Sequence, residues 1–214
     1  MSQKVIQIID NGEPLINFPK DFLCVPMYFQ QKLTSDNSMQ LREGAVEALI
    51  KAKRHLPNGW DFLIWDGYRP LNLQQKLYDD LTVLRRNEHP EWDSSKLAEE
   101  VEKFVKYASH DPSHPSPHNT GGAVDLTIIN SEGKELDMGT SFDEFTEKSY
   151  TWGEDDEARG ITPSQSENRK ILREILATEG FGPYQWEWWH FNFGNIGWAE
   201  HYDKDVAFYG SLEL

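Results

Sequence analysis

Residues 116–127 read SPHNTGGAVDLT, and this stretch joins an irregular loop to a strand. Three prolines and the pair Gly121-Gly122 interrupt residues 109–122, which predicts that this segment lacks regular structure. Residues 123–129, AVDLTII, follow as a short apolar run typical of a buried strand. The stretch therefore predicts a loop that delivers side chains to the start of a strand.

Two side chains of this stretch are candidate metal ligands, His118 and Asp125. In a straight strand they would point to opposite faces, so the glycine pair has to turn the backbone back for both to reach one ion. In the alternative interpretation, His118 caps the loop and Asp125 makes a hydrogen bond at the strand edge. The spacing alone leaves both interpretations open.

A second stretch, residues 187–190, reads EWWH. It places a potential base, Glu187, three residues before a potential ligand, His190, among aromatic side chains. A dry surrounding raises the pKa of a carboxylate towards the range of a general base. The alternative is a core histidine that pairs with Glu187 under packed tryptophans.

The two stretches together supply His118, Asp125 and His190 as ligands and leave Glu187 as a spare carboxylate. This is the composition of a catalytic zinc site with an open fourth position, and one Zn²⁺ per chain is expected. Structural zinc sites are closed by four ligands and rely on cysteine. Cys24 is the only cysteine, so neither that kind of site nor an intrachain disulfide is predicted.

A third motif, Asp66-Gly-Tyr-Arg-Pro70, follows the apolar run WDFLIW. An arginine at a corner between strand and helix can reach into a cleft and stabilise a developing oxyanion, which makes Arg69 a candidate. The alternative is a salt-bridged arginine at the surface.

Apolar periodicity predicts an α+β chain rather than alternating βαβ units. Helices are predicted over 38–56, from Pro70 onward, over 95–108 and from Thr162-Pro163 to Gly180, and strands over 60–65, 123–129 and 184–193. The acidic segment 153–160 is expected to be an exposed loop.

Length and charge narrow the class of protein. The chain has 214 residues, so one domain over 1–214 is expected. Its net charge of −15 disfavours nucleic acid and anionic membrane surfaces as partners. No apolar run approaches the roughly 18 residues of a membrane span, and a cytoplasmic location is expected. No pattern predicts an oligomeric state.

Four segments, WDGYRP, SPHNTGGAVDLT, MGTSFDEF and EWWHF, resemble in this order and spacing the D-alanyl-D-alanine dipeptidases, zinc peptidases best known from vancomycin resistance. The likeness runs from roughly Asn17 to Phe193. It implies a hedgehog/D,D-peptidase-like fold, α+β with a central antiparallel sheet and flanking helices. It also implies a small dipeptide substrate, D-alanyl-D-alanine first, and a role in cell-wall chemistry.

Carried over position by position, the resemblance implies that His118, Asp125 and His190 are the zinc ligands. Glu187 matches the catalytic base of the family, and Arg69 matches its transition-state arginine.

The resemblance also implies that Ser116 and Asp143 receive the free amino terminus of the substrate. The chain departs from the family at Asn119-Thr120, where Ser-Arg is common, and at Pro117. These positions lie beside the substrate, so the departures bear on specificity and leave the metal chemistry intact.

Three other functions compete with this interpretation. A peptidoglycan D,D- or L,D-carboxypeptidase would use the same zinc chemistry on longer stem peptides. A non-haem Fe(II) enzyme could use two histidines and a carboxylate, but it has no need of a base such as Glu187. A zinc-binding module without turnover would require neither Glu187 nor Arg69.

Overall fold

A computed structural model of the chain describes residues 5–152, 156 and 159–212. Within these residues the helices are α1 Met27–Gln30, α2 Glu43–Lys53, α3 Leu71–Glu88, α4 Ser94–Glu102, α5 Pro163–Ala177 and α6 Ile196–His201. The strands are β1 Gln7–Ile8, β2 Leu15–Asn17, β3 Leu23–Cys24, β4 Gln40–Arg42, β5 Asp61–Asp66, β6 Ala123–Ile129, β7 Gly182–Pro183, β8 His190–Asn192 and β9 Val206–Ala207. Pro117–Thr120 and Glu147–Ser149 form 3-10 helices. Residues 153–155 and 157–158 of the acidic segment predicted as a loop lie outside the described residues.

The central sheet has five strands in the order β3-β5-β6-β8-β7. All neighbours are antiparallel except β3 and β5, which are parallel. The α+β fold with a central, mainly antiparallel sheet and flanking helices is therefore confirmed. All seven residues of β6 are buried. The strand lies between β5 and β8, and the rest of the protein covers both of its faces.

Helix α2 packs its small apolar face into the core. Leu41 in β4, just before the helix, and Ala45, Leu49 and Ala52 within it are all fully buried. The predicted start of this helix is wrong, because β4 occupies the first turn and pairs antiparallel with β2. That partner lies far earlier in the chain, and local periodicity carries no information about it.

Helices α3 and α4 form a second apolar cluster with Leu81, Leu97, Val101 and Val105. The predicted helix over 95–108 ends early, at Glu102 in α4. The chain then leaves the helix and still places Val105 in the cluster. No helix in the described part of the chain has both the length and the apolar character needed to cross a membrane.

The strand predicted over 184–193 is correct only for β8. The backbone bends before it, because Trp188 N–H donates to the Ser149 carbonyl at 2.9 Å and the Trp189 carbonyl accepts from Leu126 N–H at 3.1 Å. Successive side chains of a flat strand point to opposite faces. The bend instead buries both indoles in one core, with their rings 5.4 Å apart.

The two ends of the described chain meet beside the 3-10 helix Pro117–Thr120. Strands β1 and β9 pair in parallel, and Asp10 accepts from Gly210 N–H at 2.7 Å. Further on, Leu212 N–H donates to the Asn119 carbonyl at 3.2 Å, and Ser211 Oγ bonds the Asn119 side chain. The terminal segments thus support the short helix that carries His118.

Candidate metal centre and active site

Three elements bring the predicted ligands together. Asp125 on β6 lies directly opposite His190 on β8 in the antiparallel register. Residues directly opposite each other on neighbouring strands have Cβ atoms about 4.5–5.5 Å apart, so this pairing is sufficient for a shared ion. His118 comes from the 3-10 helix that precedes β6.

The glycine pair performs the predicted turn. Gly121 ends the 3-10 helix with φ of +69°, a left-handed conformation that favours glycine. At Gly122 an added Cβ would lie 2.3 Å from the carbonyl oxygen of Phe193. Only glycine at position 122 therefore allows this backbone to approach that of Phe193 so closely. The turn at the glycine pair places His118 next to Asp125.

The three side chains meet at hydrogen-bonding distances. The Nδ1 atom of His190 lies 3.0 Å from Asp125 Oδ1 and 3.1 Å from His118 Nε2, and His118 Nε2 lies 3.4 Å from Asp125 Oδ2. One ligand atom from each residue lies within 4.8 Å of the others, and all three residues are buried.

The protonation of these groups suits a cation. His118 Nδ1 lies 2.8 Å from the Gly67 carbonyl, which only accepts, so Nδ1 carries the proton and Nε2 offers a lone pair. Burial alone would raise the pKa of Asp125, but His118 and His190 outweigh burial and hold it below its usual range. Two imidazole nitrogens and a carboxylate form a donor set that fits a catalytic zinc ion.

Glu187 lies at the edge of this cluster. The residue is buried, and its Oε2 atom is 3.8 Å from His190 Nδ1. Burial raises the pKa of Glu187 well above its ordinary value, and the charges of Asp125 and Asp143 raise it further. A buried carboxyl with a raised pKa is typical of groups that transfer protons in catalysis.

Arg69 is buried beside the cluster and is not a surface residue. Its Nη2 atom lies 2.7 Å from Asp66, 3.1 Å from the Tyr28 hydroxyl and 3.6 Å from Asp125 Oδ2, and its Nη1 atom donates to Gln74 at 3.0 Å. Burial lowers the pKa of Arg69, but Tyr28 and the surrounding carboxylates outweigh burial and raise it. The guanidinium is thus a fixed positive charge next to the ligand atoms.

Ser116 and Asp143 face the same space. Ser116 is 2% exposed, and its Oγ atom has no hydrogen-bond partner among the described residues. Asp143 has φ of +59° and accepts a long hydrogen bond from the Tyr28 hydroxyl at 3.5 Å. Burial, and then the charge of Asp125, raise the pKa of Asp143 to about 8.

One cleft of about 710 Å³ joins these groups. All seven side chains singled out from the sequence line it, namely Arg69, Ser116, His118, Asp125, Asp143, Glu187 and His190. The structure therefore brings together residues from four separate segments of the chain in one cleft.

The family of the chain follows from comparison with known proteins. The peptidase M15 family, described as D-ala-D-ala dipeptidase, matches residues 28–207. The chain belongs to this family. A D-alanyl-D-alanine dipeptidase of Synechocystis is 29% identical over 97% of this chain and 95% of its own. Those of Enterococcus faecalis and Enterococcus faecium are 32% and 31% identical, over 72% and 68% of this chain and 69% and 68% of their own.

Among solved structures, a vancomycin-resistance D,D-pentapeptidase in complex with Zn(II) matches with a TM-score of 0.46 and 16% identity. The match covers 95% of this chain and 96% of that one. Membership of the M15 family makes this chain a peptidase, and its His118-Asp125-His190 cluster could hold a metal ion.

Sequence reasoning missed several residues of this M15 site. Asp66 was visible, three positions before Arg69 in the same motif, but its role as the partner of that arginine was not inferred. Nothing local to the sequence singles out Tyr28 or Gln74, because they reach Arg69 only through the fold. Asn192 was equally missed, although it lies two positions after His190, where side chains of a strand share one face.

Proposed function

We propose that residues 1–214 form a single zinc peptidase domain that hydrolyses a free dipeptide, D-alanyl-D-alanine first. The observation that carries the proposal is the convergence of the three-ligand cluster, Glu187 and Arg69 in one cleft. Neither a structural metal site nor a simple binding module needs a buried base and a buried arginine beside its ligands. The relatives named D-alanyl-D-alanine dipeptidase support the choice of substrate.

His118, Asp125 and His190 would hold the zinc ion. They supply two neutral nitrogens and one carboxylate oxygen, which is the three-ligand set of catalytic zinc sites. When bound, Zn²⁺ supplies Lewis acidity, which lowers the pKa of a coordinated water to about 7 and polarises a carbonyl.

Glu187 acts as the proton-transfer group. Its carboxylate takes the proton of the attacking water and then passes a proton to the leaving amine, in the order that general acid–base catalysis requires. The raised pKa of Glu187 supports this role, because the group has to be protonated and deprotonated within one turnover.

Arg69 stabilises the negative charge that develops on the carbonyl oxygen. Its hydrogen bonds to Asp66 and Gln74 fix the guanidinium in place before substrate binds. A charge that is already oriented needs no reorganisation during the reaction, and such preorganised groups contribute about 2.7–4 kcal/mol each.

Asp143 and Ser116 receive the ammonium group of the substrate. The unpartnered Ser116 hydroxyl supports this, because a substrate donor would satisfy an otherwise unpaired buried oxygen. The Asp143 carboxyl would lose its proton on meeting the ammonium and form an ion pair in a dry site. A longer peptide has no ammonium at this position, which favours a free dipeptide.

The test uses purified protein loaded with one equivalent of Zn²⁺. Hydrolysis of D-Ala-D-Ala is compared with that of the LL, LD and DL dipeptides and of a pentapeptide that ends in D-Ala-D-Ala. We expect the free D,D-dipeptide to have the highest kcat/KM. Preferred cleavage of the pentapeptide would assign the chain to the carboxypeptidases instead.

Metal analysis of protein purified without added metal completes the test. Zinc is expected at one ion per chain. Iron with oxygen-dependent turnover would overturn the proposal, as would zinc binding without hydrolysis of any peptide in the panel.

A further inference from the structure

His190 is held at both of its ring nitrogens. Its Nδ1 atom faces the side chains of His118 and Asp125, and its Nε2 atom lies 3.2 Å from the Oδ1 atom of Asn192. Both residues are buried in β8. A neutral imidazole carries one proton, so the group that faces Nε2 influences whether Nδ1 has a lone pair to offer.

The orientation of the Asn192 amide is fixed from outside the sheet. Asn195 caps α6, and its Oδ1 atom accepts the Trp198 N–H at 3.0 Å. The Nδ2 atom of Asn195 therefore points the other way and donates to Asn192 Oδ1 at 2.8 Å and to the Gly122 carbonyl at 3.2 Å. A backbone N–H can only donate, so Trp198 sets the direction of the whole chain of hydrogen bonds.

This direction determines the proton of His190. Asn192 Oδ1 accepts from Asn195, so the atom is an oxygen, and the Nε2 atom that meets it has to donate. With the proton on Nε2, the Nδ1 lone pair faces the other two ligands. The opposite tautomer would direct a proton from Nδ1 to Asp125 and set two acceptors, Nε2 and Oδ1, face to face.

We infer that Asn192 and Asn195 are positioning residues that set the tautomer of His190 and keep its Nδ1 atom and Asp125 available to the cation. The inference rests on the proposed zinc site. Through a relay of hydrogen bonds from Trp198 to Asn195 and from Asn195 to Asn192, the N-terminus of α6 influences metal affinity, although no atom of that helix is a ligand.

The decisive variant is Asn195→Asp. Aspartate is as good a helix cap as asparagine, so α6 retains its bond from Trp198. The second carboxylate oxygen of the aspartate cannot donate, so Asn192 has to turn its amide nitrogen towards that oxygen. His190 Nε2 then has to accept a hydrogen bond from the same amide nitrogen. The proton moves to Nδ1, and we expect the Zn²⁺ affinity to fall by about 10- to 100-fold. This is the usual effect of removing the hydrogen-bond partner that orients a metal ligand.

The sign of this change separates the relay from simple electrostatics. An additional carboxylate near the site would by Coulomb attraction alone raise the affinity for a cation. Affinity is measured by competition with a chromophoric chelator. Asn195→Ser is the matched control, because serine also caps a helix but does not reverse the Asn192 amide. Its affinity should stay between those of wild type and Asn195→Asp.

A second pair of variants tests Asn192 itself. Asn192→Asp keeps an acceptor for Nε2 and is expected to retain or increase Zn²⁺ affinity, whereas Asn192→Leu, of similar volume, should lower it by about 10- to 100-fold. The ¹⁵N chemical shifts of His190 in metal-free protein report the tautomer directly. They should show the proton on Nε2 in wild type and on Nδ1 in Asn195→Asp.

The outcomes are separable from those of the proposed function. Wild-type protein that binds zinc, together with an Asn195→Asp variant that binds it equally or more tightly, overturns the relay and leaves the peptidase proposal intact. Wild-type protein that binds no zinc overturns the proposed function itself. If Asn195→Asp fails to fold, equal affinities of Asn192→Asp and Asn192→Leu overturn the relay.

Discussion

At the scale of single residues, the cleft holds several groups that burial would disfavour anywhere else. Arg69, Asp125 and Glu187 are each at most 5% exposed, and each is buried with a charge or a potential charge. Burying such groups is costly unless they are paired, and here they lie next to one another and to a candidate cation site. Changes to these residues should therefore affect catalysis and stability in separable ways.

Glu187→Gln keeps the size of the side chain and removes its ability to transfer a proton. Turnover should fall by about 10²- to 10⁴-fold, while the zinc content stays at the wild-type value. The measurements are kcat on D-Ala-D-Ala and metal analysis of the same sample. Glu102→Gln, in the wall of the same cleft, is the control, and wild-type turnover in the Glu187 variant would remove that residue from the mechanism.

Arg69→Lys keeps a positive charge near Asp66 and loses the planar fork that reaches several acceptors. We expect kcat to fall by about 10²- to 10³-fold, because one preorganised donor to the developing oxyanion is lost. Steady-state kinetics and thermal unfolding of the same preparation distinguish this from loss of the fold. A kcat close to that of wild type in a stable variant would contradict the assigned role.

Asp143→Asn should stabilise the protein and weaken substrate binding. Burial raises the pKa of Asp143 from 3.8 to about 8, so the folded state takes up a proton that the unfolded chain lacks between these pH values. The stability that the protonated carboxyl contributes is present below about pH 4 and is lost as the pH rises to about 8. Asparagine does not titrate, and it tolerates the left-handed backbone of this position.

The measurement is the melting temperature of metal-free protein at several pH values. The advantage of Asp143→Asn over wild type should be small near pH 4 and grow towards pH 8, while KM for the dipeptide rises. Asp79→Asn, an exposed change on α3, should show no such trend. An advantage that is independent of pH would contradict the raised pKa.

At the scale of secondary structure, the site depends on how closely β6 and β8 approach. Gly122 immediately precedes β6 and lies against the backbone that follows β8. Any side chain at this position has to separate the two strands, and their separation sets the distance between Asp125 and His190.

Gly122→Ala should accordingly lower both stability and metal affinity. The added methyl group meets the Phe193 carbonyl oxygen and the Tyr209 ring, and such overpacking usually costs about 1–3 kcal/mol. Chemical denaturation and chelator competition measure the two effects. Gly133→Ala, in a turn with φ of +74°, is the control for the loss of a glycine, because no atom lies within 4 Å of the new methyl group. Equal zinc affinity in the two variants would show that this strand spacing does not control the site.

The elements that sequence reasoning predicted well are those whose information is local. Strand 123–129 and the glycine turn before it were predicted from an apolar run and from backbone chemistry, and the structure confirms both. The stretch 184–193 was predicted as one continuous strand. Its bend depends on bonds to Ser149 and Leu126, which are distant in sequence and leave no local signal.

The same distinction applies to the site. The clustering of His118, Asp125 and His190 could be predicted because the three residues lie in recognisable motifs. The inferred relay through Asn195 could not be predicted from sequence. It depends on the direction of hydrogen bonds that form only when β8 and α6 are packed together.

At the scale of the whole molecule, metal binding should stabilise the fold, because the three ligands come together only in the folded chain. Free Zn²⁺ at about 1,000 times its Kd would add about 4 kcal/mol. For a chain of this length, that raises Tm by roughly 8–16 °C. Thermal unfolding with and without a chelator measures the difference.

Two histidine variants identify the source of this stabilisation. His118→Ala should abolish the chelator-sensitive part of Tm. His114→Ala, an exposed residue in the same loop that pairs with Asp111, should keep it. A chelator effect of equal size in both variants would place the metal elsewhere.

The order in which the ligands are made has a consequence for biosynthesis. Asp125 and His190 are separated by 65 positions. After the ribosome has added Asp125, it still has to synthesise β7 and β8 before His190 is present. At 5–20 residues per second this interval lasts roughly 3–13 s. During it the nascent polypeptide exposes a histidine and a carboxylate that can hold a cation only weakly. At the proposed zinc site, capture of the ion is therefore expected only after His190 has been synthesised.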